Sequence, residues 1–386
     1  MAITYRVAIL GCRGRGTDAA RAYHQHPRTE VVGLCDLLPE RLQTLGDELE
    51  VSARYDDYHR MIEALGPDLV AIPTGTEFHF ELSMGVLEHG VHIDVEKPMC
   101  QNLEEADRVV GHAARQQCRV AVHHQGRTGG AMTALRQVLD SGRIGEPRLL
   151  FGSGKGYYGG YGLMNIGTHM LNNMVGIAGH ATSVMGTTLT DGRSATPEDV
   201  IPAASGMGFV TGEHITAHLQ FAGNVSGVLM QHRFPRVDSV GHCLEVYGSE
   251  GRLFWRSSGA WWLPVPHDQP GDPERVWEKL PSVVPDSFDP EQPAAADDYC
   301  YAEEYVQALD EGRDHECSGV EGRHVMEIMM GIFESGALGT RIELPQADRS
   351  HPLLRWRQKH GLAEPNAMPR PYNEWLEAED RRLGRN

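Results

Sequence analysis

Residues 7–17 read VAILGCRGRGT, a short apolar run followed by a glycine-rich turn and the start of a polar segment. This order predicts a strand, a tight turn and a helix whose free N–H groups attract a phosphate. In the frame G-x-G-x-x-G the glycines would fall at positions 11, 13 and 16, but position 13 is Arg. The predicted loop residues are Gly11, Arg13, Gly14, Arg15 and Gly16, with either arginine facing a phosphate. Glycine-rich turns also occur for packing alone.

A carboxylate lies where the next strand of such a fold would end. The apolar run Glu30–Cys35 is followed by Asp36, which is 20 residues after Gly16. At this position a carboxylate binds the ribose diol of an adenine dinucleotide and repels a 2′-phosphate. Asp36 therefore favours NAD over NADP as the cofactor. The alternative is that Asp36 caps the helix predicted from Pro39.

The first 120 residues alternate apolar runs with amphipathic stretches, as a doubly wound parallel sheet requires. Predicted strands are Tyr5–Leu10, Glu30–Cys35, Leu69–Ile72, His92–Val95 and Arg119–His123. Predicted helices are Thr17–His24, Pro39–Glu48, Tyr58–Leu65, Phe80–Glu88 and Leu103–Gln116. This part of the chain is predicted to be an α/β Rossmann domain.

After residue 127 the pattern becomes rich in alternating strands, and only a few helical stretches interrupt it. We predict an α+β domain with a large open mixed or antiparallel sheet, with residues 264–293 as an extended connection. The predicted boundaries are 1–123 for the NAD-binding domain, 124–345 for the substrate and oligomerisation domain, and 346–386 for a tail. Trp356 and Trp375 in the tail suggest docking onto its own body or a neighbouring subunit.

Composition excludes several classes of protein. Of the residues, 40% are apolar, and 53 Asp and Glu against 35 Lys and Arg give a net charge of -18. Such a chain folds, and its surface repels nucleic acids and anionic lipids. No stretch reaches the roughly 18 apolar residues of a membrane span, so we expect a cytoplasmic protein. The 7 scattered cysteines contain no C-x-x-C pair and predict neither disulfides nor a zinc site.

Polar residues end two further predicted strands, at the sheet edge where ligands bind in this architecture. The candidate cofactor contacts there are Thr74, His79, Glu96 and Lys97. At Glu96-Lys97-Pro98 the sequence resembles the Gfo/Idh/MocA oxidoreductases, whose hallmark is Glu-Lys-Pro. The resemblance extends along nearly the whole chain through QGR at 125–127, SGRIG at 141–145, GTH at 167–169 and YGSEG at 247–251.

The resemblance implies a Rossmann domain followed by a domain whose open sheet often packs on another subunit, with the nicotinamide between the domains. It implies that Lys97 contacts both the cofactor and the reacting hydroxyl, and that Arg127 lies near the cofactor. The family's second motif is similar to Asp-x-Gly-x-His-x-x-Asp. Here that motif reads NIGTHMLN at 165–172, so both carboxylate positions are amides.

The spacing of Asn165, His169 and Asn172 places them on one helical face, where they can converge on a substrate. Oxidation of a secondary alcohol needs a proton acceptor beside the carbinol oxygen, and an imidazole can serve. We predict His169 as the base and Lys97 as the group that stabilises the developing alkoxide. Asn165 would orient the imidazole without adding charge. A core histidine satisfied by the backbone is the alternative for His169.

The glycine-rich loop before this helix supplies two further candidates. Lys155 and Tyr158 could hydrogen-bond a polyhydroxylated substrate, although packing is the other explanation. His214 and His218 have helical metal-site spacing but lie in a strand-like run, where that offset spans about 13 Å. No metal is therefore expected.

The preferred function is an NAD-dependent dehydrogenase that oxidises a secondary hydroxyl of a sugar, polyol, cyclitol or related ring, or reduces the ketone. One alternative is an NAD-retaining enzyme that uses transient oxidation for elimination, isomerisation or glycosidic cleavage. Another is a non-catalytic cofactor-binding regulator. The expected partner is a small hydroxylated substrate, and the resemblance implies a homodimer or homotetramer.

Overall fold

The computed structural model describes residues 3–385, which divide into two compact units. The first unit comprises the chain up to Met99, residues 105–130 and residues 283–322. The second comprises residues 100–104, residues 131–282 and the chain from Arg323 onward. The boundaries expected from the sequence differ from this division mainly at residues 283–322, which were expected in the second domain but return to the first unit.

Strands and helices alternate along the first third of the chain, and strands predominate in its middle. Residues 5–128 form β1 Tyr5–Leu10, α1 Arg15–Gln25, β2 Thr29–Cys35, α2 Pro39–Glu48, β3 Arg54–Tyr55, α3 Tyr58–Leu65, β4 Leu69–Ile72, α4 Thr76–Glu88, β5 His92–Glu96, α5 Leu103–Gln116, β6 Val120–His123 and α6 Gln125–Thr128. Residues 130–248 form α7 Gly130–Asp140, β7 Pro147–Ser153, α8 Gly159–Gly162, a π-helical turn Leu163–Gly167, α9 Thr168–Ala178, β8 Ala181–Thr190, β9 Arg193–Ser194, β10 Ile201–Pro202, β11 Phe209–Val210, β12 His214–Phe221, β13 Ser226–His232 and β14 Cys243–Gly248. The remaining elements are β15 Arg252–Arg256, β16 Gly259–Leu263, β17 Glu278–Leu280, α10 Ala296–Glu311, α11 Gly319–Leu338, β18 Ile342–Glu343, α12 Pro352–Lys359 and α13 Tyr372–Arg382.

The first unit contains a six-stranded parallel sheet in the order β3-β2-β1-β4-β5-β6. All residues of β4 and the last four of β1 are buried, as expected for parallel strands covered on both faces. The strand order reverses between β1 and β4, which is where ligands bind in open α/β sheets. The predicted Rossmann fold is confirmed.

Helix α10 completes the core of the first unit, although it lies far away in the sequence. Its Tyr301 and Tyr305 are fully buried in the same apolar cluster as Val7 and Ile9 of β1. The Tyr305 hydroxyl donates to the carbonyl of Ile93 in β5 at 2.8 Å. Because α10 is fixed to the strands by buried hydrogen bonds, it also brings its first turn to the unit's ligand-binding edge.

The second unit contains a ten-stranded mixed sheet in the order β17-β16-β15-β14-β7-β13-β12-β8-β18, with β9 paired to β8. Only β7 and β13 pair in parallel, and the other neighbours are antiparallel. Along β13 and β14 buried residues alternate with partly exposed ones, so one face carries the apolar core. Helix α9 contacts the central strands β7, β13 and β14. This agrees with the predicted open sheet.

The C-terminal residues 346–385 fold onto the second unit and contain helices α12 and α13, which the sequence analysis left unassigned. Trp375 is fully buried, and its indole N–H donates to the carbonyl of Pro202 at 2.7 Å. The Arg385 guanidinium binds the buried carboxylate of Glu213. Of the two predicted docking modes for the tail, the structure therefore has the one onto its own body.

Candidate functional site

The glycine loop between β1 and α1 has the backbone that the sequence predicts. Gly11 has a φ of 111° and Gly14 a φ of 53°, both in the region that favours glycine. A Cβ on Gly16 would lie 2.0 Å from the carbonyl oxygen of Gly11, so only glycine permits this close approach. Helix α1 begins without a side-chain cap at Gly14. The loop therefore presents an uncapped helix N-terminus of the kind that binds a pyrophosphate.

Asp36 is fastened to this loop. Its Oδ2 accepts from the backbone N–H of Cys12 at 2.9 Å, and its Oδ1 accepts from the N–H of Leu38 at 2.9 Å. The guanidinium of Arg41 lies 3.8 Å from Oδ1. The first residue before α2 is Leu38, and no side chain caps that helix. The carboxylate thus joins the end of β2 to the loop, in place of the alternative role as the cap of α2.

The two arginines of the loop have different surroundings. Arg15 donates from Nε to Glu96 at 2.9 Å and from Nη2 to Asp298 at 2.5 Å, and also pairs with Asp18. Arg13 is exposed, and no ion pair holds it within residues 3–385. Of the two predicted phosphate contacts, the structure favours Arg13, because the charge of Arg15 is already compensated by carboxylates.

A series of buried charged side chains supports the glycine loop. The His123 imidazole, 3% exposed, lies 3.0 Å from Asp94 Oδ2 through Nδ1 and 3.0 Å from Asp298 Oδ1 through Nε2. Asp298 also binds Arg15, and Arg15 in turn binds Glu96. This series of charged side chains therefore links β5, β6 and the first turn of α10 to the glycine loop.

The carboxylates at both ends of His123 determine its charge. Burial alone would lower the pKa of His123, but Asp94 and Asp298 outweigh it and raise the pKa to about 10. Burial likewise opposes ionisation of Asp298, yet His123 and Arg15 lower its pKa to about 2. His123 is consequently an imidazolium at neutral pH. The hydroxyls of two buried tyrosines complete the group by donating to Asp94, from Tyr23 at 2.9 Å and Tyr301 at 3.0 Å.

Glu96 and Lys97 end β5 at the same edge. Glu96 is 6% exposed, and its Oε2 accepts from the backbone N–H of Lys97 at 3.0 Å, while its Oε1 is held by Arg15. The side chain of Lys97 is half-buried. Glu96 thus fixes the turn through the Lys97 backbone and through Arg15. The Lys97 side chain extends from this turn.

His79 lies beneath that turn. It is fully buried, with Nδ1 at 2.8 Å from the carbonyl oxygen of Pro98 and Nε2 at 3.2 Å from that of Thr74. Burial lowers the pKa of His79, so the ring is neutral and donates through one of its two nitrogens. In the structure His79 supports the Lys97-Pro98 turn, and its contact with the cofactor stays a prediction.

Thr74 carries a polar atom that a ligand could use. Its Oγ1 is buried and has no hydrogen-bond partner among residues 3–385, and its methyl group would lie 3.2 Å from a Cβ on Gly11. A buried hydroxyl without a protein partner can bind a ligand or a water molecule. Together with the uncapped loop and Asp36, this orphaned hydroxyl fits a bound dinucleotide.

Arg127 and His124 follow β6. The Arg127 side chain is 12% exposed and pairs with Glu321 at 2.7 Å, so its orientation is fixed inside the first unit. Burial and the nearby cations Lys97 and Arg127 lower the pKa of His124 well below its usual value. His124 is therefore a neutral, buried neighbour of Lys97 that sequence analysis did not identify.

In the second unit, the predicted catalytic helix begins as a π-helical turn. Asn165 lies in this turn, Leu163–Gly167, and His169 lies in the first turn of α9. Both side chains are half-buried, whereas Asn172 is fully buried. Single π-helical turns are frequent at functional sites. The Nδ2 of Asn165 donates to the hydroxyl oxygen of Tyr161 at 3.1 Å.

The two predicted substrate contacts in the loop before this turn have different surroundings. Tyr158 is fully buried, and its hydroxyl donates to Glu379 of α13 at 3.0 Å, so it anchors the C-terminal segment. Lys155 is half-buried, and burial lowers the pKa of its ammonium group. The contact of either residue with a substrate stays a prediction.

Two structural features are absent from residues 3–385. None of their His, Cys, Asp and Glu side chains come together in threes or more in an arrangement that could hold a metal ion. None of the helices in this part of the chain has the length and apolar character needed to cross a membrane.

Comparison with known proteins matches the N-terminal part of the chain to a known family. Residues 5–124 match the model of the Gfo/Idh/MocA oxidoreductase family, described as an NAD-binding Rossmann fold. Residues 5–124 are similar to the NAD-binding domain of this family. The match covers the glycine loop, Asp36 and the Glu96-Lys97-Pro98 turn, so the resemblance stated from these motifs is confirmed.

Several curated proteins are similar to part of this chain. D-apiose dehydrogenase of Rhizobium rhizogenes is 28% identical over 173 residues, which are 44% of this chain and 50% of the relative. Inositol 2-dehydrogenase of Salmonella typhimurium is 27% identical over 153 residues, 39% and 46% of the two chains. A glycosyl hydrolase family 109 protein of Porphyromonas gingivalis is 31% identical over 121 residues, 29% and 26% of the two chains. The chain thus spans about half the length, or less, of these three relatives.

Solved structures extend the likeness of fold to both units. Levoglucosan dehydrogenase in complex with NADH and L-sorbose has a TM-score of 0.74 at 17% identity, over 89% of this chain and 100% of that one. An Agrobacterium radiobacter oxidoreductase in complex with NAD+, L-tartaric acid and magnesium has a TM-score of 0.70 at 17% identity, over 88% and 98%. At these identities the likeness concerns the fold alone, and it confirms the fold class.

Proposed function

We propose that this protein is an NAD-dependent dehydrogenase that oxidises a secondary hydroxyl of a sugar, polyol, cyclitol or related ring, or reduces the matching ketone. The observation that carries the proposal is the juxtaposition, in one Gfo/Idh/MocA domain, of an uncapped glycine loop, the Asp36 carboxylate and the Glu96-Lys97-Pro98 turn. Three of the similar proteins are named D-apiose, inositol and D-glucoside dehydrogenases, and these names support the substrate class.

The residues proposed to hold the dinucleotide share the switch point of the first sheet. The loop N–H groups and Arg13 would bind the pyrophosphate, and Asp36 the adenosine ribose. Thr74 would offer its orphaned hydroxyl. Asp36 repels a 2′-phosphate, which favours NAD over NADP. Bound NAD would supply the hydride acceptor.

We assign the proton transfer and the stabilisation of the developing negative charge to residues of this chain. His169 takes the hydroxyl proton, and Asn165 orients its ring. Lys97 places its ammonium group beside the oxygen and stabilises the negative charge that develops there. Asn172, Lys155 and Arg127 are proposed as further ligand contacts, of which Arg127 is the one already fixed by an ion pair.

The test is a panel of sugars, sugar acids, inositols and hydroxylated aromatics incubated with NAD, in which the absorbance of the reduced nicotinamide is followed. We expect one class to give steady accumulation of NADH, and Lys97→Ala to lower kcat by about 10²–10³-fold. Absence of NAD binding by the purified chain contradicts the proposal. Biological activity that survives Lys97→Ala while NAD still binds supports a non-catalytic regulator instead.

A second candidate is an enzyme that retains NAD and uses transient oxidation for elimination, isomerisation or glycosidic cleavage. Two observations favour it: the match to a glycosyl hydrolase family 109 protein, and the amides Asn165 and Asn172 at both carboxylate positions of the family motif. Product that forms without accumulation of NADH supports this candidate, whereas NADH in proportion to product supports the dehydrogenase.

A further inference from the structure

Tyr161 holds one end of the Asn165 amide. The Asn165 Nδ2 donates to the Tyr161 hydroxyl oxygen at 3.1 Å. An amide has a donor end and an acceptor end. When the NH₂ group is fixed on the tyrosine, the acceptor Oδ1 lies on the opposite side of the amide. Tyr161 is 6% exposed, so water does not readily replace it.

Helix α13 of the C-terminal segment holds the Tyr161 ring. Tyr372 of α13 stacks on Tyr161 with the ring centroids 4.7 Å apart and the planes at 29°. The Tyr372 hydroxyl also accepts from the backbone N–H of Tyr158 at 2.9 Å. Two further anchors bind α13 to the same segment: the Tyr158 hydroxyl on Glu379, and the buried indole of Trp375 edge-on to the Tyr158 ring at 5.0 Å.

We infer that Tyr161 is a positioning residue for the proposed reaction, and that α13 is the element that keeps it in place. With Nδ2 held by Tyr161, the Oδ1 of Asn165 is the atom that meets a ring N–H of His169, about one helical turn onward. An imidazole that donates through one nitrogen keeps a lone pair on the other, as a base requires. Loss of the Tyr161 hydroxyl would let the amide rotate and present its NH₂ group instead.

Tyr161→Phe tests this with little change in shape, because the ring that stacks on Tyr372 remains. The inference rests on the proposed function, so NADH formation by the unaltered protein is measured first. We expect Tyr161→Phe to lower kcat by about threefold to tenfold, the effect of one neutral hydrogen bond. KM and the affinity for NAD should stay within about twofold. Asn165→Ala should then lower kcat far less in the Tyr161→Phe protein than in the unaltered one.

A second readout does not depend on turnover. The titration of His169, followed by NMR of the ring nitrogens, should move to lower pH in Tyr161→Phe, because the imidazolium loses an acceptor. Tyr372→Ala should produce the same movement, since it removes the ring that supports Tyr161. The matched control is Tyr247→Phe, which deletes a hydroxyl bound to Glu245 at 2.7 Å on the sheet of the same unit. This control should change neither kcat nor the titration.

The outcomes separate the two proposals. An unaltered protein that binds no NAD overturns the proposed function, while the NMR titration still decides the role of Tyr161. Unchanged titration of His169 in Tyr161→Phe overturns the inference. So do equal effects of Asn165→Ala in both backgrounds, or a loss of activity that merely follows a lower melting temperature.

Discussion

Replacement of His123 by glutamine removes the central charge from the series of buried charged side chains that supports the glycine loop. The imidazole is 3% exposed and bridges Asp94 and Asp298, and glutamine can donate a hydrogen bond but carries no charge. Removing one partner from a buried ion pair costs about 3–5 kcal/mol, because the remaining charge is left uncompensated. Tyr hydroxyls on Asp94 and the guanidinium of Arg15 on Asp298 remain. We therefore expect His123→Gln to cost about 3 kcal/mol, at the lower end of that range.

The same charge gives the first unit a dependence on pH. The pKa of His123 is about 10 in the folded chain against a reference of 6.5. A raised pKa contributes stability in full below the unfolded value, and this contribution is lost as the pH rises from 6.5 towards 10. At 1.36 kcal/mol per pKa unit, the unaltered first unit should lose about 2–3 kcal/mol between pH 7 and pH 9. The variant should lose little over the same interval.

Hydrogen exchange measured by mass spectrometry resolves this effect, since it follows peptides of β5 and β6 separately. A loss of about 3 kcal/mol corresponds to exchange faster by about 100-fold, after correction for the intrinsic pH dependence. All tryptophans of the chain lie in the second unit: Trp255, Trp261, Trp262, Trp277, Trp356 and Trp375. Their fluorescence during denaturation reports on that unit and provides an internal reference.

The matched control is His24→Gln, which removes an exposed imidazole from α1 of the same unit. Surface substitutions of this kind change stability by about 0.5 kcal/mol at most, so exchange in β5 and β6 should stay within about twofold. If His123→Gln leaves exchange in these strands as slow as in the control, or if the unaltered protein shows no loss between pH 7 and pH 9, His123 is not a buried cation that stabilises the first unit.

Three further expectations follow from single side chains. Asp36→Ser removes a repulsive charge and releases Arg41, so the ratio of NADP to NAD affinity should rise by about tenfold in a titration with both nucleotides; an unchanged ratio would argue against the placement of the ribose. Asn165→Asp should move the acid limb of the pH–rate profile upward by about one unit, because a carboxylate favours the charged form of His169; an unmoved limb rejects their coupling. Burial, with Asp298 beside it, raises the pKa of Asp297 to about 7, so ionising Asp297 costs stability as the pH rises from 3.8 to 7. Asp297→Asn should therefore raise the free energy of unfolding at pH 8 by about 1–3 kcal/mol in urea denaturation, and a decrease would contradict this assignment.

Sequence patterns predicted the elements of the first sheet closely. Helices α2, α3 and α5 have the predicted bounds, and β1 and β4 match as well. The reason is that parallel strands buried on both faces form continuous apolar runs, which amphipathic helices separate. The glycine loop and Asp36 were likewise visible, because their spacing along the chain is fixed by one strand, one turn and one helix.

The supporting charges were not predictable in the same way. Arg15 and Asp298 are 283 residues apart, and no local pattern relates a position on α10 to the glycine loop. His123 ends a strand like any other residue, and only the fold reveals that it lies between two carboxylates. Helix α12 did carry a signal that was overlooked: Pro352 opens it, and basic Arg357 and Lys359 occupy its last turn.

The candidate residues of the second unit illustrate a further limit. Tyr158 was singled out as a substrate contact because tyrosines in a glycine-rich loop can bind sugars. In the structure its hydroxyl binds Glu379, which lies 221 residues later, in a helix that the sequence analysis did not assign. The role of Tyr161 was hidden for the same reason, since the ring that holds it, Tyr372, belongs to that helix.

The central claim, net transfer of a hydride from a hydroxylated ring to NAD, is tested most directly with an isotope. A substrate found in the panel is labelled with deuterium at its carbinol carbon, and the products are analysed by mass spectrometry. We expect the deuterium to accumulate on the nicotinamide of NADH in proportion to the ketone formed. Deuterium that is recovered only in the sugar product, or that never reaches the nicotinamide, would contradict the claim.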